Sequence, residues 1–424
     1  MGLVGGDGLN VYWVNQATGT PDQPGGTRHF DMAAALVRRG SKVTLVASDL
    51  SLLRRTYSRR HTHWDLRPRR EQVCGVDAVW LSAGRYERND WRRLASMVLF
   101  GAGAFVYLGW QRRRAGSVVI GSSPHLFGAL GAWGAARVRR IPFILEVRDL
   151  WPESYTALTG RTSGGLLWLM RWIADLLYAR ACAIVVLAEG SIDAIASKGV
   201  PRERIHFVPN GVDMARFEKQ QARGTHGSCL TFAYTGAHGP ANGLEVLVRA
   251  CALLQSSGHD HIKVLLVGDG PAKDALIDQA RRLKLRNLEF RDPVPSEQMP
   301  MLLSSVDAGL MLLARAELFS YGVSPNKVFE YLAAGLPIVN NVPGAVADLI
   351  DRAGAGESCA AGDAEALANT IVAVGSEIVA GTARYRSGRS FVERHYDRRV
   401  LAVRLEGILR EVVSGTVSRA AGDR

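Results

Sequence analysis

Cysteine is sparse: Cys74, Cys182, Cys229, Cys251 and Cys359 are five residues in 424, far apart and without a C-x-x-C spacing. Neither a disulfide framework nor a zinc site follows from them, and a reducing cytoplasmic setting fits. Long apolar runs are also lacking. Leu94 to Trp110 holds 17 residues without a charge, short of the roughly 20 that a spanning helix needs. The start, MGLVGGDGLNVYWVNQ, has no basic region leading into an apolar one, so secretion is not expected. Aromatic residues are not interleaved with the basic runs, which speaks against nucleic acid as a partner. Low-complexity blocks are missing, and the mean hydropathy is near zero, so the composition is that of a globular chain long enough for two cores.

What is present in excess is positive charge, and it is unevenly placed. Residues 1–200 hold 26 Lys/Arg against 15 Asp/Glu, the remainder 26 against 25. The excess lies in Arg54 to Arg70, Arg112 to Arg114 and Arg137 to Arg140. An anionic membrane surface fits this half. The Leu94–Trp110 run, flanked by arginines and carrying Phe100, Phe105 and Trp110, reads as a core helix, as a helix inserted shallowly at an interface, or as a short span. Its glycines Gly101, Gly103 and Gly109 weaken a helix.

Short apolar runs alternate with helical stretches twice over. NVYWVN, KVTLVAS, DAVWLS, SVVIGSS, FILEV and AIVVLA make the first series, and LTFAYTG, IKVLLVGDG, NLEFRD, VDAGLMLL and GLPIVNN the second. The class is therefore α/β, with two doubly wound Rossmann-like domains. The expected division is 1–204, a linker at 205–228, and 229–396, with a closing helix near 397–424 that packs back on the first domain. Ligands of such sheets bind outside the carboxyl ends of the strands, so those loops should carry the chemistry. After the first strand, Gly25 and Gly26 permit close backbone approach and Thr27 begins a helix with free N–H groups. The turn LVGDGP lacks the full G-x-G-x-x-G pattern, which leaves a nicotinamide cofactor unsupported.

The stretch YGVSPNKVFEYLAAGLPIVNN raises a sharper question. Ser324 reads as the N-cap and Pro325 as the first helical residue, which puts Lys327 in the first turn, where the helix dipole is already positive. An anion resolves this: Ser324, Asn326, the free N–H groups and Lys327 together fit a phosphate. Glu330 lies three residues on, on the same side, placed either to accept a sugar or ribose hydroxyl or to pair with Lys327. A nucleotide diphosphate sugar satisfies both features.

GGTRHF, LEVRDLWPES, VPNGVD, YTGAHGPANGLEVLVRA, LLVGDGP and SPNKVFEYLAAGLPIV, in this order, resemble GT4 glycosyltransferases of the GT-B fold. More narrowly, the chain looks like the branch that includes N-acetylfucosaminyl transferases of bacterial surface polysaccharide assembly. The resemblance implies two Rossmann-like domains facing a central cleft and a retaining, metal-free transfer without a cofactor. The sugar, an N-acetylated amino sugar, moves from a UDP-linked donor to a polyprenyl-diphosphate-linked or other glycan acceptor. With the basic first half and the Leu94–Trp110 run, the expectation is a peripheral enzyme on the inner face of the cell membrane. The resemblance carries donor binding to Ser324, Asn326, Lys327, Glu330, Gly236, His238 and Gly239, and the acceptor and phosphate loop to Gly25, Gly26 and Thr27. Catalytic roles fall on Lys327, Glu330, Arg148 and Asp149.

The chain also departs from the family pattern. The first Glu of the E-x7-E motif falls on Gly322, with Glu317 as a stand-in, and the usual diphosphate-gripping Arg and Lys fall on Ala237 and Asn242. Arg148 stands where a His is common, followed by Asp149, and the two are also readable as a structural pair. Other readings of the chain are an epimerase of the same fold or a non-catalytic scaffold for glycan assembly at a membrane.

Overall fold

The computed structural model describes residues 8–50, 65–84, 86, 91–154, 156, 163–218, 229–315, 323–381, 384–385 and 387–415. The chain divides into two compact units: 1–20, 27–209 and 399–424 form the first, and 21–26 and 210–398 the second.

The first unit is built on an eight-stranded sheet in the order β3-β4-β2-β1-β5-β6-β7-β8. The strands are β1 (Asn10–Val14), β2 (Lys42–Ser48), β3 (Arg69–Val73), β4 (Val76–Leu81), β5 (Ser117–Ser122), β6 (Phe143–Val147), β7 (Ala183–Val186) and β8 (Ile205–Phe207). All neighbours are parallel except β3 and β4. One face is covered by α1 (Arg28–Arg38) and by the closing helix Arg398–Ser414, which buries Leu401, Leu405 and Leu409. The other face carries α2 (Trp91–Gly109), α3 (Leu126–Arg139) and α4 (Gly165–Arg180).

The segment expected as linker, 205–228, thus starts with a strand of the first sheet, and 219–228 lie outside the described residues. Three residues paired to Val186 and its neighbours are too few to show a period of two in the sequence.

Helix α2 answers the question posed by the 94–110 run. Met97, Phe100, Ala104 and Leu108 are buried, whereas Trp91, Val98, Phe105, Val106 and Trp110 are exposed. Phe100, expected at an interface, is instead wholly inside the core. No helix among the described residues is long and apolar enough to cross a membrane. The glycines that weaken α2 permit contact with α3: a Cβ on Gly101 would lie 2.3 Å from the Phe127 carbonyl oxygen, and one on Gly131 2.0 Å from that of Gly101. Helix propensity yields here to backbone-to-backbone packing.

The second unit holds a six-stranded parallel sheet, β11-β10-β9-β12-β13-β14. Its strands are β9 (Leu230–Thr235), β10 (Ile262–Val267), β11 (Leu288–Arg291), β12 (Ala308–Met311), β13 (Ile338–Asn340) and β14 (Gly356–Ser358). Buried Val and Leu on both faces make two cores, as a parallel sheet requires.

Candidate functional site

The site in the second unit assembles at the carboxyl ends of β9 and β10 and at the start of the Asn326–Ala333 helix. That helix begins one residue later than the sequence implies. Pro325 is extended (φ −74°, ψ 126°) and occupies the N-cap position, which provides no side-chain cap. Ser324 lies outside the helix, where its Oγ accepts the Asn210 N–H (3.0 Å) and its carbonyl accepts the Asn210 amide. The hydroxyl proton of Ser324 still has an acceptor to find, and the first helical N–H groups have no side-chain cap.

Lys327 lies in the first turn, as expected, but its partner is unexpected. Its Nζ is enclosed, has no hydrogen-bond partner among the described residues, and lies 3.6 Å from the centre of the Tyr234 ring. No ion pair joins it to Glu330 within 4 Å. Burial pulls the Lys327 pKa down to about 7, with Glu330 opposing. Burial pushes Glu330 up to about 7, against the pull of Arg216 and Lys327. A cation–π contact with a desolvated ammonium contributes about 2 kcal/mol, and here it leaves the ammonium protons unmatched.

Gly236 makes room for this amine. Its φ is +138°, and a Cβ there would lie 3.1 Å from Lys327 Nζ. The turn after β9 is locked to the turn after β10, since a Cβ on Gly268 would fall 1.8 Å from the Gly236 carbonyl oxygen. His238 sits inside this junction. Its N–H donates to the Asp269 carbonyl (2.8 Å), its carbonyl accepts the Ala272 N–H (2.9 Å), and its ring is buried near Tyr234 and Phe290. Burial, then Lys273, lowers its pKa to about 4, so the ring is neutral at pH 7. His238 therefore braces the glycine turns. Gly239 donates its N–H to Asn242 Oδ1 (3.3 Å), and the Ala237 carbonyl accepts the Tyr234 hydroxyl (2.9 Å).

Gly25 and Gly26 count with this second unit. Ser296 Oγ donates to the Gly25 carbonyl (2.8 Å), and a Cβ on Gly26 would meet Asn326 Nδ2 at 3.0 Å. Asn326 Oδ1 is buried without a partner among the described residues. Gly236, Gly26, Asn326, Lys327 and Glu330 are thus gathered around an uncapped helix start, where the Lys327 amine and Asn326 Oδ1 have no partner among the described residues. Gly322 and Glu317 lie outside the described residues. No cluster that could hold a metal ion occurs among the described residues.

The remaining candidates belong to the first unit. Thr27 is the residue before α1, but its hydroxyl donates to Asp31 Oδ2 (2.6 Å). Arg148 and Asp149 follow β6; no ion pair within 4 Å joins them, and Ser123 holds this turn through the Arg148 N–H (2.9 Å) and the Asp149 carbonyl (3.2 Å). Arg148 is partly buried with Nε unpartnered, and Asp149 is exposed.

Sequence reasoning missed a buried cluster nearby. Glu146, inside the apolar strand FILEV, accepts from Arg28 (3.1 Å), His29 (2.9 Å) and Ser122 (2.6 Å). Arg28 also donates to the Val208 carbonyl (2.9 Å), and Asn15 bonds His29. Burial works against a charge on Glu146, yet its cationic and hydrogen-bonding neighbours hold its pKa well below the usual carboxylate range. Burial lowers His29 to about 4. A carboxylate in the middle of an apolar strand was the available signal, because such a group persists only when it is paired.

Comparison with known proteins agrees with this architecture. Residues 25–211 match the glycosyl transferase 4-like domain, and residues 230–376 match glycosyl transferases group 1. The putative colanic acid biosynthesis glycosyl transferase WcaI of Escherichia coli is 24% identical over 346 residues, which is 77% of this chain and 81% of that protein. Among solved structures, a sucrose-phosphate synthase from Thermosynechococcus elongatus superposes with a TM-score of 0.74 at 15% identity, covering 96% of this chain and all of that one. Anabaena HepE, solved in complex with UDP and glucose, gives 0.67 at 15% identity, covering 95% and 99%. Two consecutive domain matches that span both sheets, on a fold shared with these enzymes, make the chain a glycosyltransferase of the 4-like and group 1 families, with the GT-B fold.

Proposed function

We propose that this enzyme is a retaining transferase that moves an N-acetylated amino sugar from a UDP-linked donor to a lipid-linked glycan acceptor during surface polysaccharide assembly. The observation that carries the donor half is Lys327: an enclosed ammonium with no acceptor among the described residues, at an uncapped helix start, beside a glycine whose missing side chain leaves room for the amine. Breaking the anomeric bond puts negative charge on the leaving diphosphate. Lys327 and the helix N–H groups stabilise that charge more as it grows, and this difference accelerates the step. Glu330 takes a hydroxyl of the ribose, and the leaving phosphate helps to deprotonate the acceptor. HepE, with its bound UDP, and the colanic acid enzyme support the nucleotide and the pathway class by likeness.

The acceptor half rests on the outer layer of the first unit. Trp91, Phe105 and Val106 of α2, Trp110 just after it, and Trp168 and Trp172 of α4 are exposed on the layer of helices that covers one sheet face. Arg112 to Arg114 and Arg137 to Arg140 flank them. Aromatic insertion with basic flanks suits peripheral attachment to an anionic inner leaflet. A thermal-shift panel of nucleotide sugars tests the donor. A ligand at 100 times its Kd adds about 2.7 kcal/mol to stability, so a UDP-sugar should raise Tm where guanosine donors do not. No shift with any nucleotide sugar would overturn the reading. Vesicle flotation of a Phe105→Ser, Trp110→Ser, Trp168→Ser variant tests the membrane, and flotation equal to wild type would remove it.

A further inference from the structure

A groove of about 350 Å³ opens in the first unit at the amino ends of β1, β2 and β4, the opposite end of the sheet from Arg148 and Asp149. Its floor is one face of the sheet. Register places Tyr12, Thr44 and Asp77 in a row across three strands, with Arg70 and Gln72 of β3 on the same side, opposite Val79 and Asp77. Farther along, that face is apolar: Val14, Val46 and Leu81 join the core beneath α2. The change from apolar to polar on the same face, strand after strand, marks a surface meant to meet water or a polar ligand rather than a helix. The last turn of α2 and the residues after it, Tyr107, Gln111 and Arg114, form the wall.

The charges that line the groove are positive in balance. Lys42, Arg70 and Arg114 line the groove, and none has a carboxylate partner among the described residues; Arg70 lies over the Tyr107 ring at 5.6 Å. Against them the groove floor holds one carboxylate, Asp77, which accepts from the neutral Gln72 amide and keeps its charge. Glu71 sits on the reverse face of β3, where it accepts the Trp80 indole N–H (2.9 Å). Three cations against that one carboxylate leave the groove net positive, and with the hydroxyl and amide groups of its floor they match a phosphate ester that also carries hydroxyls.

We propose that this groove is a second ligand site, separate from the donor site, that binds a phosphorylated polyol. We take its source to be the headgroup of an anionic lipid such as phosphatidylglycerol. The phosphate chemistry stands on the groove alone. The lipid source rests on the membrane reading above, because the groove adjoins the end of α2 that carries exposed Trp110 and Arg112 to Arg114. Headgroup capture would turn a general attraction to negative membranes into a preference for one lipid and would fix the depth of α2.

The test uses the full chain and a Lys42→Gln, Arg70→Gln variant. Both side chains are exposed, so the fold and the thermal shift with UDP-sugar should be unchanged. Flotation is measured at about 0.15 M salt, where the Debye length is about 8 Å, on phosphatidylcholine vesicles carrying phosphatidylglycerol or phosphatidylserine at the same mole fraction, so that their charge is matched. The expected result is a tenfold or larger loss of affinity for phosphatidylglycerol and less than a threefold loss for phosphatidylserine. Equal losses on both lipids would reduce the groove to general electrostatics and overturn the proposal. Wild-type flotation of this variant, with loss in the Phe105, Trp110, Trp168 variant, would overturn the groove and leave the membrane reading standing. Calorimetry with sn-glycerol 3-phosphate separates the sources. Binding that the double variant loses, with flotation unaffected, would overturn the lipid source in favour of a free phosphate ester.

Discussion

The first unit buries a charged group and satisfies it, whereas the second buries one and leaves it waiting. Glu146 is enclosed with Arg28, His29 and Ser122, each within hydrogen-bond distance of its carboxylate. Lys327 is enclosed against Tyr234 with no hydrogen-bond partner among the described residues, and its pKa sits near 7 together with that of Glu330. The same cost of desolvation is thus met inside the chain in one case and left unmet in the other. A paired cluster already has its partners inside the chain. An unpaired one is tolerated in a folded protein where something else completes it, which is why the second cluster, and not the first, is read as the binding centre.

The strongest way to break the comparison is to remove one partner from the satisfied cluster. Glu146→Gln leaves the Arg28 guanidinium buried without a counter-charge, and breaking a buried pair in this way costs about 3–5 kcal/mol. Denaturant unfolding should show that loss. A variant as stable as wild type would mean that water or the backbone already satisfies Arg28.

The complementary change is Lys327→Met. It removes a desolvated cation and keeps the bulk over Tyr234, so Tm should not fall. Loss of a charge that stabilises the leaving diphosphate should lower sugar transfer by about 100- to 1000-fold. Measured together, unfolding and consumption of nucleotide sugar sort the two clusters: Glu146→Gln acts on stability, Lys327→Met on turnover. Wild-type turnover in Lys327→Met would remove Lys327 from the donor site.

A smaller effect is expected at Gly236. An alanine there takes a φ of +138°, which L-residues rarely adopt, and pushes its Cβ against Lys327 Nζ. Such backbone strain costs about 1–3 kcal/mol, and displacement of the amine should weaken donor binding as well. Retained donor affinity in the thermal-shift assay would show that Lys327 reaches the ligand by another route.

The two clusters also differ in how far the sequence reveals them. Lys327 stands out because a cation in the first turn of a helix contradicts the dipole, a rule local to eight residues. The alternation of apolar runs gave both sheets, and polar β3 and the short β8 and β14 escaped because their pairing comes from neighbours rather than from pattern. Tyr234 beneath Lys327, and Arg28 beside Glu146 across 118 positions, could not be found this way. Those partners are set by tertiary packing between distant segments, for which one sequence has no period. The one-residue shift at Pro325 has a local cause. Ser324 has the side chain for an N-cap, but Asn210 engages it, and the helix starts without it.

The finest test of the unmatched cation is its pH dependence. Burial has lowered Lys327 to about 7, while in the unfolded chain it titrates near the usual lysine value. Between those limits the unfolded state holds more protons, so the Lys327 contribution to stability rises with pH in the free protein. Donor affinity should move the opposite way. A diphosphate favours the protonated amine, so its binding raises the Lys327 pKa, and affinity is full below about pH 7 and weakens by up to tenfold per unit above it. A nucleotide sugar suits the measurement because its diphosphate, substituted at both ends, keeps a constant charge over this range. Glu330 ionises in the same region, so the slope is to be compared in Lys327→Met and in Glu330→Gln. Loss of the slope in Lys327→Met alone assigns it to the amine. A slope that survives in Lys327→Met and vanishes in Glu330→Gln would transfer the titration to the carboxyl and make the hydroxyl contact, rather than the phosphate contact, the pH-sensitive part of the site.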